Sequence, residues 1–195
     1  MEFEVIDRTS TLQREELRDN SPTVIVVHST RSYPEFDDLL AFHKKRGFSG
    51  VGYHFFISAS KKIYQARPIE LEGAHALGFN QTSIGVCVYS KDGALDSKTR
   101  AMASGFIKSL RERNGNIKAI SHTSAQLLYF NELLAADGIT KSFDAFGGIN
   151  EPERFEKMSA LLKLFLGENK KLGDEAKALI NGFKNCPGPM FSQLV

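Results

Sequence analysis

The sequence predicts an α/β domain: a central mixed β-sheet flanked by helices, with a helical insertion ahead of the C-terminal tail. Three observations predict it. Residues 23–27, Thr-Val-Ile-Val-Val, form a continuous β-branched run suited to a buried central strand. Between residues 22 and 122, strand-like segments are interspersed with helical periodicity and punctuated by glycine. Beyond residue 122 the pattern becomes mainly helical.

Taken in order, residues 3–5 alternate and suit an edge strand, and the run ending at Val27 leads into His28. Residues 34–46 read as a helix: Pro34 suits a first turn, Phe36, Leu39, Leu40 and His43 share one face, and Gly47 suits the stop. Strands are expected at 53–58 and 63–67 about a turn at 59–62, then a loop over 70–82 and a strand at 83–89. A helix over 97–113 carries Met102, Phe106 and Leu110 on one face, and a short strand at 117–121 ends at His122. Thr123 and Gln126 form a capping-box pattern opening a helix that Gly138 closes. Two further amphipathic helices are expected, one along Phe155, Met158, Leu161, Leu162 and Phe165, the other along Ala176, Leu179, Ile180 and Phe183.

A chain of 195 residues suits one domain, here 1–195. With 42% hydrophobic and 25% charged residues it has the make-up of a soluble globular protein rather than a disordered one. A net charge of +2 gives no reason to expect nucleic acid, and no apolar run approaches the ~18 residues of a membrane helix. The first ten residues lack the basic and apolar regions of a signal peptide, so synthesis in a cytoplasm is expected. The two cysteines, Cys87 and Cys186, are then read singly rather than as a disulfide framework.

His28 and His122 each follow a strand, and strand ends in one sheet are rigid places from which side chains converge. Zinc needs three or four such donors, and Cys186 could add a thiolate. Two separated histidines and a distant cysteine are equally compatible with unrelated structural roles.

Five segments carry more information together: Val27-His28-Ser29-Thr30; His43 to Phe48; Val51-Gly52-Tyr53-His54-Phe55; Ala74-His75-Ala76-Leu77-Gly78-Phe79-Asn80; and Ser83-Ile84-Gly85-Val86-Cys87. Their order and spacing resemble the zinc amidase family of N-acetylmuramoyl-L-alanine amidases, amidase-type bacteriophage lysozymes and peptidoglycan recognition proteins. The resemblance covers roughly residues 22–122 and resumes in the tail at Lys184-Asn185-Cys186-Pro187. It implies Zn2+ held by His28, His122 and Cys186, with Tyr53 and Lys184 as the non-ligand catalytic pair and His75 at a substrate-contacting or proton-sharing position. The family's third ligand stands about eight residues past the second histidine. Here that neighbourhood, residues 127–131, holds no Cys, Asp or His, so a helical insertion over about 127–182 is inferred, with Asp137 and Asp144 as reserve ligands.

Other polar residues invite structural readings. His54 points away from Tyr53, His43 lies on an apolar helix face, Cys87 is a buried strand thiol, and Asn80 serves loop geometry. The resemblance implies hydrolysis of the amide between the lactyl group of N-acetylmuramic acid and L-alanine. Bacterial peptidoglycan is then the partner, with no nucleic acid or membrane. An endolysin-like lytic enzyme acting on the wall after release or injection fits, as does a recycling enzyme. Two alternatives belong to other classes: a non-catalytic peptidoglycan-binding module, and a regulator of a protein partner docked on the insertion.

Overall fold

The computed structural model describes residues 2–13, 17–91, 93–136 and 194. Six strands form one mixed sheet: β1 (Val5–Asp7), β2 (Val24–Thr30), β3 (Phe55–Ile57), β4 (Ile63–Gln65), β5 (Ser83–Tyr89) and β6 (Lys118–Ser121). Their order across the sheet is β1-β4-β3-β5-β2-β6. Among these strands the β3–β4 hairpin is antiparallel and the other pairings are parallel. Three helices, α1 (Phe36–Lys45), α2 (Ser97–Arg113) and α3 (His122–Ala136), complete the fold of the described residues.

The expected α/β architecture is therefore present, and the β-branched run is a central strand. Ile25 and Val26 of β2 are both inaccessible to solvent although they point to opposite faces, because the sheet is covered on both sides. On one side Ile25, Val27, Ile84, Val86, Phe55 and Ile57 pack on Phe106, Ile107 and Leu110 of α2, and Leu194 joins this core. On the other, Phe36 and Leu39 of α1 meet Phe56, Tyr64 and Cys87. Nearer β6, Val24, Val26 and Ile120 pack on Ala125 of α3 and Ala76 of the loop before β5, with Leu128 against them.

Several boundaries differ from the sequence reading for local reasons. The expected strands at 53–58 and 63–67 shorten because Ala66 and Arg67 both donate backbone hydrogen bonds to the His54 carbonyl, which breaks the two-strand register. The first helix begins at Phe36, and the Glu35 carboxylate accepts from the Ser60 backbone and hydroxyl instead of capping it. At α3 the cap lies earlier than expected: Ser121 Oγ accepts from the Ser124 amide at 3.0 Å, so the helix starts at His122. The edge strand is displaced to Val5–Asp7. The helix over 97–113 matches α2, whose first turn is capped by Asp96 accepting from the Lys98 and Thr99 amides.

Residues 127–136 of the expected insertion continue α3, with Leu127 and Phe130 fully buried. The rest of 127–182, with its two further helices, lies outside the described residues, as do Asp137, Asp144, Lys184 and Cys186.

Candidate metal centre and cleft

β2 and β6 are parallel neighbours in which Val27 pairs with Ser121, so the residues that follow, His28 and His122, emerge side by side. Their ring centroids lie 4.4 Å apart. Tyr53, just before β3, brings its ring to 4.9 Å from His28, and His75 brings its ring to 5.0 Å. Four of the residues singled out from the sequence thus meet on one face, drawn from four separate segments. Lys184 and Cys186 fall outside the described residues, and among the described residues no three His, Cys, Asp or Glu side chains are arranged as a complete metal site.

The histidines are in the neutral form that a metal ligand requires. Burial, reinforced by the neighbouring His122 and His75, holds His28 well below the ordinary imidazole range. Burial lowers His122 to about 4. His75 is also held far down by burial, then by His54, His122 and Arg67. One atom tests the fit to zinc directly. Among the described residues His122 Nδ1 is buried and finds no hydrogen-bond partner. A buried polar atom of this kind costs free energy unless it finds a partner, and in the tautomer that leaves Nδ1 bare a metal beside the His28 ring would supply one.

Glycines make room for this cluster. A Cβ on Gly85 would stand 2.5 Å from His75 Cδ2, and one on Gly73 would stand 2.3 Å from the same atom. Asn80 fixes the loop that carries His75, since its Oδ1 accepts from the amides of His75 and Ala76 at 2.8 and 3.0 Å. His54 and His43 have structural partners, but His54 does not turn away from Tyr53 as expected: both precede β3, outside its alternation, and both rings lie against His75, at 5.7 and 6.2 Å. His54 Nδ1 accepts from the Gly85 amide and its Nε2 donates to the Leu71 carbonyl. His43 Nδ1 accepts from the Gly52 amide. Cys87 is fully buried.

Arg67 was not singled out by sequence reasoning, yet it braces the site. It is 1% exposed, and its guanidinium donates to the carbonyls of Val51 and Glu72 at 2.6 and 2.8 Å and to Ser49 Oγ at 3.2 Å. It thereby ties the segment leading to Tyr53 to the segment leading to His75. Nothing in the spacing of the sequence marks it. Gly85 carried a signal, because a lone glycine inside a strand often marks a close approach.

A cleft of about 390 Å³ opens beside Tyr53, with Tyr33 and Phe42 among its aromatic walls and Arg31 and Arg46 on its rim. Among the described residues no helix is long and apolar enough to cross a membrane.

Comparison with known proteins bears on the family and the fold. A family model described as N-acetylmuramoyl-L-alanine amidase matches residues 18–135. The endolysin of Enterobacteria phage K11 is 28% identical over 122 residues, 60% of this chain and 79% of its own length. The endolysin of Escherichia phage T7 is 34% identical over a shorter stretch, 40% of this chain and 52% of its own. Among solved structures, the N-acetylmuramoyl-L-alanine amidase LysC from Clostridium intestinale URNW aligns with a TM-score of 0.57 at 22% identity, covering 70% of this chain and 99% of that one. Peptidoglycan recognition protein-LE in complex with tracheal cytotoxin aligns at 0.53 and 20% identity, over 62% of this chain and 83% of that one. At those identities the two structures speak for the fold.

Proposed function

The chain belongs to the N-acetylmuramoyl-L-alanine amidase family, and from that premise we propose that it is a zinc hydrolase cutting the amide between the lactyl group of N-acetylmuramic acid and L-alanine in bacterial peptidoglycan. The observation that carries this reading is the pairing of the His28 and His122 rings at 4.4 Å, with His122 Nδ1 buried and unpartnered among the described residues. His28, His122 and Cys186 would hold the zinc. When bound, zinc supplies Lewis-acid polarisation of the scissile carbonyl and activation of water.

The chain's own groups do the rest. Tyr53 stands at the mouth of the cleft with its ring against His28, so its hydroxyl can donate a hydrogen bond to the carbonyl oxygen as negative charge develops there. Lys184 is the second donor in this reading. The low-pKa histidines beside Tyr53 stay uncharged near neutral pH, the form in which His28 and His122 could offer lone pairs to a metal. The cleft offers aromatic walls for the apolar parts of a stem peptide and guanidinium groups at its rim for carboxylates. The phage endolysin relatives favour a lytic role on the cell wall.

The test is digestion of purified peptidoglycan, with and without a chelator, by the full chain and by Cys186→Ala. The reading expects about one zinc per chain, chelator-sensitive release of stem peptide, and loss of both metal and activity in the variant. Full zinc and full activity in Cys186→Ala would overturn the ligand assignment. Peptidoglycan binding without cleavage by the zinc-loaded protein would favour the binding module instead.

A further inference from the structure

The hydrogen bonds around His75 run in a fixed direction. The Phe79 carbonyl can only accept, so Ser83, 2.6 Å away, donates its single hydroxyl proton there. Ser83 Oγ is then an acceptor toward His75 Nε2 at 3.4 Å, and His75 must carry its proton on Nε2. That leaves His75 Nδ1 as an acceptor, 3.0 Å from His28 Nε2. His28 in turn must carry its proton on Nε2, which leaves its lone pair on Nδ1.

We propose that His75, backed by Ser83, is a positioning residue that fixes His28 as the Nε2–H tautomer and thereby selects Nδ1 as its metal-binding nitrogen. The inference rests on the reading of His28 as a zinc ligand. His75 is suited to the task because it cannot drift. Gly73 and Gly85 lie within Cβ reach of its ring, and Asn80 holds its backbone amide. Both its ring nitrogens are engaged by protein atoms, an arrangement for orienting a neighbour rather than for contacting a ligand in the cleft. The sheet register explains why these residues meet: Val24 pairs with Ser83 and Val26 with Gly85, which puts Ser83, Gly85 and His28 on one face beneath the loop that carries His75.

Histidine-selective ¹⁵N labelling of the full chain tests this, with imidazole tautomers read by long-range ¹H–¹⁵N correlation before and after zinc titration and zinc affinity measured against a competing chelator. In the wild type, His28 should be protonated on Nε2 and bare on Nδ1 before zinc is added, and zinc should shift the Nδ1 signal. His75→Asn places an amide oxygen near the Nδ1 position and should keep the His28 tautomer, with zinc affinity within about threefold. His75→Leu removes the acceptor and should give a mixture of His28 tautomers, with affinity down by about 10- to 100-fold, the usual range for losing a partner of a ligating histidine. If His75→Leu does not fold, Ser83→Ala serves: it frees the His75 proton and should give His28 a second set of signals. A wild-type His28 protonated on Nδ1 would overturn the proposal, as would signals and affinity that His75→Leu and Ser83→Ala both leave unchanged. No zinc binding by a wild type whose His28 is nevertheless held as the Nε2–H tautomer would overturn the metal reading and uphold the tautomer relay.

Discussion

Tyr53 both touches His28 and lines the cleft, and its hydroxyl is the group whose removal is most informative for the proposed mechanism. Tyr53→Phe keeps the ring against His28 and deletes only the donor. It should retain the fold and the zinc while lowering turnover by about 10²- to 10³-fold, the usual effect of removing one oxyanion donor; the rate of amine release at saturating peptidoglycan measures it. Gly85→Ala addresses the other side of the cluster. Its new methyl would sit 2.5 Å from His75 Cδ2 in a packed interior, so the ring must move or the strand must yield. A loss of about 1–3 kcal/mol of stability is expected from such overpacking, with weaker zinc binding, measured by denaturant titration and chelator competition. Residues of this kind are only partly legible in a sequence. The type and order of His28, Tyr53, His75 and His122 point to the candidate site, because such groups can ligate metal or move protons, and the fold brings their rings together. Arg67 and Ser83 act through carbonyls and hydroxyls that any surface could offer, so only the folded arrangement reveals them.

At the scale of elements, the site depends on β6 stopping beside the middle of β2, at the pair Val27–Ser121, and on α3 starting there, so that His28, inside β2 rather than at its end, faces His122. The strands are legible because β-branched and alternating runs have one good use, and 83–89 and 97–113 coincide with β5 and α2. Pairing is not legible: nothing in residues 118–121 says that they lie beside β2 rather than at the opposite edge, and that choice is made by tertiary packing. The α3 boundary fails to show in the sequence because several hydroxyl residues compete to cap it, and Ser121 wins through its bond to the Ser124 amide. Since α3 carries His122 at its first residue, its anchor should control the metal centre. Phe130 is fully buried two turns further on. Phe130→Ala should cost about 3–5 kcal/mol and should weaken zinc binding along with stability, as measured by paired thermal unfolding scans with and without zinc. A variant destabilised to that extent without any change in zinc affinity would show that the helix does not hold His122.

For the whole molecule, the sheet buries histidines that have no part in the chemistry, and this gives the fold a pH dependence of its own. Burial, with Arg46 and Arg67 adding to it, lowers His43 to about 4. Burial outweighs the bond to the Leu71 carbonyl and lowers His54 to about 4 as well. An unfolded chain protonates these rings near 6.5, whereas the folded one resists until about 4. Stability is thus fully present above about pH 6.5 and is lost as the pH falls toward 4, by about 1.4 kcal/mol per pH unit for each ring in the middle of that window. Urea midpoints of the metal-free protein measured across this range should fall accordingly; a flat profile would mean that the rings are not held neutral.

The family and fold account for the organisation of residues 18–135, and the site geometry adds two adjoining histidines flanked by a tyrosine, beside a cleft with aromatic and guanidinium side chains. The most direct test is to identify by mass spectrometry what the zinc-loaded protein releases from purified peptidoglycan. The account predicts intact stem peptides bearing a free amino group on L-alanine, and glycan strands whose N-acetylmuramic acid keeps its lactyl carboxylate. Release of sugar fragments, of shortened stem peptides, or of nothing at all would contradict it.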